Sequence, residues 1–175
     1  MRSTAPSNPR LRVCGDRRGY SRVGGDVQAS TGNGSVRIDG TEGTVKASTG
    51  NGDVDVSNAR AAVKVSTDNG RVNVSTSEGP VEVHTGNGSI DVQMSKLKAR
   101  DDMSFSTGSG SVRVKLPAGY NGELDASTGS GSIDSDLELK VQGRLDPRRV
   151  RATIGTGGPR LKLSSGSGRL EILKS

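Results

Sequence analysis

The chain has 175 residues, a formal net charge of +6 at pH 7, 29% hydrophobic residues and 2% aromatic residues. This length fits one domain, but so little apolar material is more typical of a disordered chain than of a globular core. One Phe, two Tyr and no Trp leave few rings to stack on bases, which argues against a nucleic-acid partner. The sequence has no run of about 18 apolar residues, so we expect no membrane span within it.

The positive charge is concentrated at the two ends of the sequence. Residues 1–23 carry six Arg against one Asp, residues 24–143 carry 11 basic and 16 acidic residues, and residues 144–175 carry eight basic and two acidic residues. We therefore divide the chain into a basic leader with a candidate first cap strand, 1–23, and a repeat domain, 24–175. If the termini cap the two ends of the fold, like charges would meet end to end, and a monomer is expected.

The first ten residues are polar, contain two prolines and lack the apolar segment of a signal peptide. Two alternatives follow: the protein is cytoplasmic, or an export segment has been removed before Met1. The abrupt start favours the second. Cys14 is the sole cysteine, so no disulfide framework is expected, and we interpret it as a small strand residue.

An exact repeat dominates the middle of the chain. Thr31, Thr49, Thr67 and Thr85 recur every 18 residues, each followed by a turn sequence such as Gly-Asn-Gly. Apolar and polar residues alternate on both sides of that turn, as in strands with one buried face, and Gly and Asn tolerate the positive φ of tight turns. The repeat predicts an all-β, single-domain β-solenoid with about 18 residues per coil and two packed parallel sheets. A hairpin meander also fits the strands, but it does not require an exact period.

Stacking the coils in register predicts which residues face inward. On the first strand of each coil these are Val27/Ala29, Val45/Ala47, Val63/Val65, Val81/Val83 and Met103/Phe105. On the second strand they are Val36/Ile38, Val54/Val56, Val72/Val74, Ile90/Val92 and Val112/Val114. The turn residues Asn33, Asn51, Asn69 and Asn87 are expected to hydrogen-bond from coil to coil. Two segments break the period and are interpreted as insertions, 93–102 and 137–149.

Outward charges on the second strand fit the same register. One column is predicted to follow chain order as Arg37, Asp55, Asn73, Asp91, Arg113 and Asp134. Arg37 beside Asp55, and Asp53 beside Arg71 in the next column, would be favourable cross-strand pairs. We interpret these charges as determinants of register and solubility rather than of catalysis.

A second outward column, on the first strand, is the candidate ligand-contacting surface. This polar ladder consists of Ser30, Ser48, Ser66, His84, Ser106 and Ser127. The adjacent threonines are expected to point inward and to bond turn amides. Such a hydroxyl array, spaced about 4.8 Å apart, suits ordered water or a carbohydrate. Lys46, Lys64 and Glu82 on the same face argue against ice binding.

Three chemical alternatives fit the sequence poorly. A calcium β-roll needs oxygen ligands after each turn, but Arg71 occupies that column beside Ser35, Asp53 and Ser89. His84 is the only histidine, so it has no partners for a zinc site or a catalytic triad. Residues 155–158, Gly-Thr-Gly-Gly, lack the Lys-Ser/Thr of a phosphate loop and are interpreted as a turn. We expect no enzyme activity, no cofactor and no metal site.

Three phrases carry a family resemblance: A-S-T-G-N-G-D-V-D-V, L-P-A-G-Y-N-G-E-L-D-A-S-T-G-S-G-S-I and I-G-T-G-G-P-R-L-K-L-S-S-G-S-G. Across Val27 to Leu173 the chain resembles the adhesin-like β-repeat family of bacteria, also designated DUF4097, a domain of unknown function. The resemblance implies a β-solenoid in an exported or membrane-anchored protein of the cell envelope. It supplies no catalytic residues. The expected role is a non-enzymatic structural or binding module with a cell-surface or polysaccharide ligand. The alternative is a cytoplasmic scaffold or filament-forming protein.

Overall fold

A computed structural model of the protein describes residues 11–14, 18–76, 79–94, 101–117, 119–137, 139–141, 146 and 148–174. The described residues form strands and no helix. Numbered in chain order, the strands are β1 (Leu11–Cys14), β2 (Arg18–Val23), β3 (Val27–Asn33), β4 (Val36–Thr41), β5 (Val45–Asn51), β6 (Val54–Ala59), β7 (Val63–Asn69), β8 (Val72–Thr76), β9 (Val81–Asn87), β10 (Ile90–Met94), β11 (Met103–Ser109), β12 (Val112–Leu116), β13 (Gly122–Ser130), β14 (Ile133–Ser135), β15 (Leu139–Val141), β16 (Arg149–Ile154), β17 (Arg160–Ser167) and β18 (Leu170–Lys174).

Two sheets make up the stack. Sheet A has ten strands in the order β1-β3-β5-β7-β9-β11-β17-β13-β16-β15, and sheet B has eight in the order β14-β18-β12-β10-β8-β6-β4-β2. Neighbours are parallel except where β16 pairs antiparallel with β13 and with β15. One coil contributes one strand to each sheet, so the prediction of an all-β solenoid with two packed parallel sheets is confirmed, and the antiparallel strand β16 is a departure at one end of sheet A.

The alternating pattern places the core between the sheets. In β5, Val45 and Ala47 are buried whereas Lys46 and Ser48 are exposed. Every residue predicted to face inward, from Val27 to Val114, is buried, and Phe105 is fully so. Because most coils supply only a few apolar side chains, many of them Val and Ala, the core is thin and continuous along the stack.

In the repeated coils, the turn after the sheet A strand depends on the glycine at its last position. Gly70 has a φ of 154°, and a Cβ there would overlap the carbonyl group of Gly52 in the neighbouring coil. This close approach explains why glycine recurs at that position. The asparagine ladder beside it is confirmed: the side-chain amide of Asn51 donates to Asn33 at 2.8 Å, Asn69 donates to Asn51 at 3.0 Å, and Asn87 donates to Asn69 at 3.1 Å.

The last coil of the chain lies inside the stack. Strand β17 pairs with β11 on one side and β13 on the other, and β18 pairs with β12 and β14. The coil at 160–174 therefore separates two coils that are consecutive in sequence. Its large apolar side chains need cover on both faces, and Leu161, Leu163, Leu170 and Ile172 are all completely buried. Ile133 in the short strand β14 is only half-buried, which suits an end position.

Two contacts tie this inserted coil to its neighbours. The backbone N–H of Arg160 donates to Asp102 Oδ1 at 2.8 Å, and the Tyr120 hydroxyl donates to the carbonyl oxygen of Pro159 at 3.3 Å. Tyr120 is buried. The loop before β17 is thus fixed by residues at the starts of the two coils that flank it.

The predicted insertions and leader differ in extent from the observed strands. Gln93 and Met94 continue β10, and residues 95–100 lie outside the described residues. Within 137–149, residues 139–141 form β15 and Arg149 begins β16. In the leader, Cys14 ends β1 and residues 18–23 form β2, so a further coil precedes Gly24, while residues 1–10 lie outside the described residues.

Candidate functional site

The predicted polar ladder lies on the outer face of sheet A. Strand register places its members side by side, with one residue that the sequence did not predict, in the order Ser30, Ser48, Ser66, His84, Ser106, Ser164 and Ser127. The first four side chains are exposed and the last three are half-buried. Seven positions one strand apart span about 29 Å at 4.8 Å per strand. Ser164 was missed because it belongs to the inserted last coil.

A charged column runs beside the ladder on the same face. Lys46 and Lys64 are neighbours in register, and Lys64 Nζ lies 2.7 Å from Glu82 Oε2. At the far end Asp125 Oδ2 lies 3.5 Å from Arg151 Nε, and the Arg149 guanidinium is 4.0 Å from the same carboxylate. The outer face of sheet A therefore carries a row of hydroxyls, interrupted by His84, beside a column that contains ion pairs.

The threonines beside the ladder point inward as predicted, but those that bond a turn donate to its carbonyl oxygen, and the buried Thr85 hydroxyl has no partner among the described residues. Thr49 Oγ1 donates to the carbonyl oxygen of Gly34 at 3.2 Å, and Thr107 Oγ1 donates to that of Gly88 at 3.1 Å. Ser165 plays the same part in the inserted coil, with Gly110 as its acceptor at 3.0 Å. These buried hydroxyls join turns of adjacent coils, so we assign them to the scaffold and not to a ligand surface.

Charged residues also form a column on the outer face of sheet B. Its order is Arg37, Asp55, Asn73, Asp91, Arg113, Glu171 and Asp134. The predicted neighbours Arg113 and Asp134 are separated by Glu171, because β18 lies between their strands. The predicted Arg37–Asp55 pair is present at 3.1 Å. Asp53 meets Arg71 differently, since its Oδ1 accepts from the Arg71 backbone N–H at 2.8 Å.

Glu171 is the centre of the strongest charge cluster on this face. Arg113 Nε lies 2.6 Å from Glu171 Oε2, and Arg169 Nη1 lies 3.6 Å from Glu171 Oε1. The hydrogen bond from Arg113 is the main cause that holds the pKa of Glu171 below its usual range, and it raises the pKa of Arg113 in turn. Both groups therefore stay charged at neutral pH.

A shallow polar groove crosses sheet B at this cluster. It has a volume of about 460 Å³ and is lined by Arg71, Asn73, Ser89, Ile90, Asp91, Ser111, Arg113, Arg169 and Glu171. A second depression of about 290 Å³ shares Asn73 and Asp91 with it. Sequence reasoning missed this groove. The residues that mark the groove are two small serines, Ser89 and Ser111, between Arg71 and Arg169. This arrangement exists only in the folded stack, where β18 places Arg169 beside Ser111.

The remaining candidate groups are isolated on the scaffold. His84 is exposed between Ser66 and Ser106. Burial raises the pKa of Tyr120 to about 12, with Asp102 adding to the effect. Among the described residues, no group of three or more His, Cys, Asp or Glu side chains is arranged to hold a metal ion.

Stacked coils, an asparagine ladder and two outward polar faces define a repeat protein of the β-solenoid class. The chain belongs to the Toastrack DUF4097 family, whose model matches residues 21–173. No curated protein matches the chain. No solved structure matches it either. In the part of the chain that the structure describes, no helix is long and apolar enough to cross a membrane.

Proposed function

We propose that this protein is a non-enzymatic structural and binding module of the bacterial cell envelope, and that its ligand is a polysaccharide. The observation that carries the proposal is the polar ladder, seven side chains in register along one face of sheet A. A polymer of repeating units can meet equivalent groups repeatedly along such a row. Each contact is weak, but several contacts on one polymer strengthen one another.

The arrangement of titratable groups favours binding over catalysis. Acid–base chemistry needs groups that converge on one reacting atom in a concave site. On sheet A, Lys64, Glu82 and His84 are exposed on a flat face, and Lys64 and Glu82 pair with each other. Such a surface offers hydrogen bonds and charge but does not enclose a substrate.

The envelope location rests on the family resemblance. A polar module of this kind would display its faces to polymer outside the membrane while its stacked backbone hydrogen bonds keep it rigid. The alternative, a cytoplasmic scaffold, uses the same stack but needs no ligand on the ladder. The two proposals therefore differ in where the natural protein is found and in what the ladder contacts.

Co-sedimentation with bacterial envelope polysaccharide tests the ladder. We expect the protein to be retained, and we expect Ser48→Gln and Ser66→Gln each to weaken retention at least five-fold by blocking the row without adding charge. Ser35→Gln is the matched control, because Ser35 is exposed and lies in the turn that leads into sheet B. Cell fractionation of the natural host tests the location. A cytosolic protein that no envelope polysaccharide retains would overturn the proposal in favour of the scaffold.

A further inference from the structure

Two charged side chains on sheet B stand apart from the paired ones. The exposed guanidinium of Arg71 and the half-buried carboxylate of Asp91 form no hydrogen bond or ion pair with any described residue. Both line the same groove. The neighbouring groups are paired with one another: Arg37 forms an ion pair with Asp55 at 3.1 Å, and the Asn73 amide donates to Asp55 at 2.8 Å. Among the described residues, the groove thus contains one guanidinium and one carboxylate that form no hydrogen bond or ion pair, although Asp91 lies close enough to Arg113 to attract it.

Arg113 has a carboxylate on each of its two neighbouring strands in sheet B, and it forms its ion pair with only one of them. Arg113 stands between Asp91 on β10 and Glu171 on β18. Its guanidinium turns to Glu171, where the Nε–Oε2 distance is 2.6 Å. The Asp91 carboxylate also attracts Arg113, but it forms no hydrogen bond or ion pair with it. The pairing of Arg113 with Glu171 therefore leaves the Asp91 oxygens without a hydrogen-bond donor among the described residues.

Small side chains give the groove its depth. Arg71, Ser89, Ser111 and Arg169 precede four adjacent strands of sheet B, and the backbone hydrogen bonds Val72 N–H to Ser89 O, Ile90 N–H to Ser111 O and Val112 N–H to Arg169 O keep these strands in register. Two serines thus lie between two arginines across about 14 Å, or three strand spacings. The second depression extends the surface past Asn73 and Asp91 towards Gln93 and Lys115.

The groups in the groove select a ligand of mixed character. A simple anion would be repelled by Asp91 and Glu171, and a simple cation would be repelled by the three arginines of the groove. A carboxylate suits the free Arg71 guanidinium, which can bind it through two parallel hydrogen bonds. The Asp91 carboxylate only accepts hydrogen bonds, so it needs hydroxyl donors beside that anion. Ser89, Ser111 and Asn73 can both donate and accept.

We propose that this groove is a subsite for an acidic oligosaccharide, with Arg71 binding a sugar carboxylate and Asp91 accepting from sugar hydroxyls. The length of the groove and its continuation past Asp91 suit several linked sugars rather than one small zwitterion. The inference rests on the proposed polysaccharide-binding function, but it places the acidic units on sheet B, the face opposite the polar ladder.

Titration with trigalacturonate tests the subsite, with neutral galactotriose as the control ligand and heteronuclear NMR as the readout. We expect shifts at Ser89, Asp91 and Ser111 with trigalacturonate and at least ten-fold weaker binding of galactotriose. Arg71→Gln is expected to weaken trigalacturonate binding at least ten-fold, and Asp91→Asn at least five-fold. Arg37→Gln is the matched control: Arg37 is a sheet B arginine outside the groove, and its loss should change the affinity less than two-fold. Unchanged melting temperatures will show that the variants fold.

Each outcome decides one proposal. The subsite proposal is overturned if galactotriose or free glutamate binds as tightly as trigalacturonate. It is also overturned if Arg71→Gln binds trigalacturonate with full affinity. If envelope polysaccharide is retained through the polar ladder but trigalacturonate leaves the groove signals unmoved, the subsite alone is wrong. If trigalacturonate binds at the groove and the natural protein is cytosolic, the envelope location is wrong and the subsite stands.

Discussion

The side chain of Asn121 accepts a hydrogen bond from the backbone N–H of Thr156 at an N–Oδ1 distance of 3.0 Å, across 35 residues of sequence. The same side chain donates to the carbonyl oxygen of Gly119 at 3.1 Å. Asn121 therefore joins the loop before β13 to the loop before β17. This contact lies where the inserted last coil enters the stack, so it helps to fix the unusual order of the coils.

Gly155→Ala should destabilise the protein at this contact. Gly155 has a φ of 62°, and an added Cβ would overlap the Asn121 amide. The left-handed conformation alone costs a non-glycine residue about 1–2 kcal/mol, and the overlap adds to it. Urea unfolding measures the loss, with Gly24→Ala as a near-neutral control because nothing lies within 4 Å of a Cβ there. Combining Gly155→Ala with Asn121→Ala should cost less than the sum of the two. Strict additivity would show that the two sites are not coupled.

The alternation of apolar residues was sufficient to predict the coils, the core and the two outward faces. Val65 inward and Ser66 outward follow from a period of two combined with an exact repeat of 18 residues. The order of the last three coils did not follow. Their turns, at residues 107–111, 128–132 and 165–169, have nearly the same sequence, so each can stack on any other in register. The position of the last coil depends instead on specific loop contacts such as Asn121 with Thr156, which no periodic pattern encodes.

The same limit explains the mixed result for the site. The polar ladder was predictable because its members occupy equivalent positions in successive repeats. Ser164 and the groove on sheet B were not, because both depend on the neighbour that the inserted coil supplies. Glu171 lies beside Arg113, and Arg169 lies beside Ser111. The two residues of each pair are 58 residues apart in the sequence.

Val65→Asp and Ser66→Asp form a matched pair that tests the inward and outward assignment. Val65 is 1% exposed in the core of β7, so an aspartate there would bury an unpaired charge. Changes of that kind cost about 4 kcal/mol or more, whereas exposed substitutions usually stay within about 0.5 kcal/mol. We expect Val65→Asp to unfold the protein or lower its melting temperature sharply, and Ser66→Asp to leave it almost unchanged. Similar melting curves for the two variants would contradict the burial pattern.

Tyr120 should make stability fall at alkaline pH. Its pKa is raised to about 12 in the folded protein because burial disfavours the phenolate, whereas an unfolded tyrosine titrates near 10. The contribution is complete below about pH 10 and is lost as pH rises towards 12, because the unfolded chain releases its proton first. Absorbance at alkaline pH in a Tyr20→Phe background isolates the Tyr120 titration. A midpoint near 10 in the folded protein would contradict the prediction, and Tyr120→Phe should remove this part of the pH dependence.

Salt should control end-to-end association, although the charges at the far end of the stack are not those that the sequence suggested. The C-terminal coil lies inside the stack, so the premise that the C-terminus caps one end is wrong. That end in sheet A is formed by β15 and β16, which carry Lys140, Arg149 and Arg151. Strands β1 and β2 form the other end and carry Arg12, Arg18 and Arg22. Basic residues therefore lie at both ends of the stack, although Asp125 pairs with Arg149 and Arg151, and β14 at the far end of sheet B carries Asp134. Open strand edges invite stacking, and here repulsion between like charges opposes it.

Light scattering across a salt series measures the balance between these two effects. Charges are screened beyond about 10 Å at 0.1 M ionic strength and about 3 Å at 1 M, so we expect a monomer at low salt and end-on association only as salt rises. Arg148 directly precedes β16, and its carbonyl oxygen accepts from Thr128 N–H on β13. Lys140→Glu combined with Arg148→Glu would place acidic charge opposite the basic start of a second copy. This variant should associate at lower salt than the natural sequence, and added salt should weaken its contact. Filaments of the natural sequence that form at low salt and dissolve at high salt would contradict this prediction. Attraction between the basic ends and the acidic body would then dominate over repulsion between the ends, as a scaffold would require.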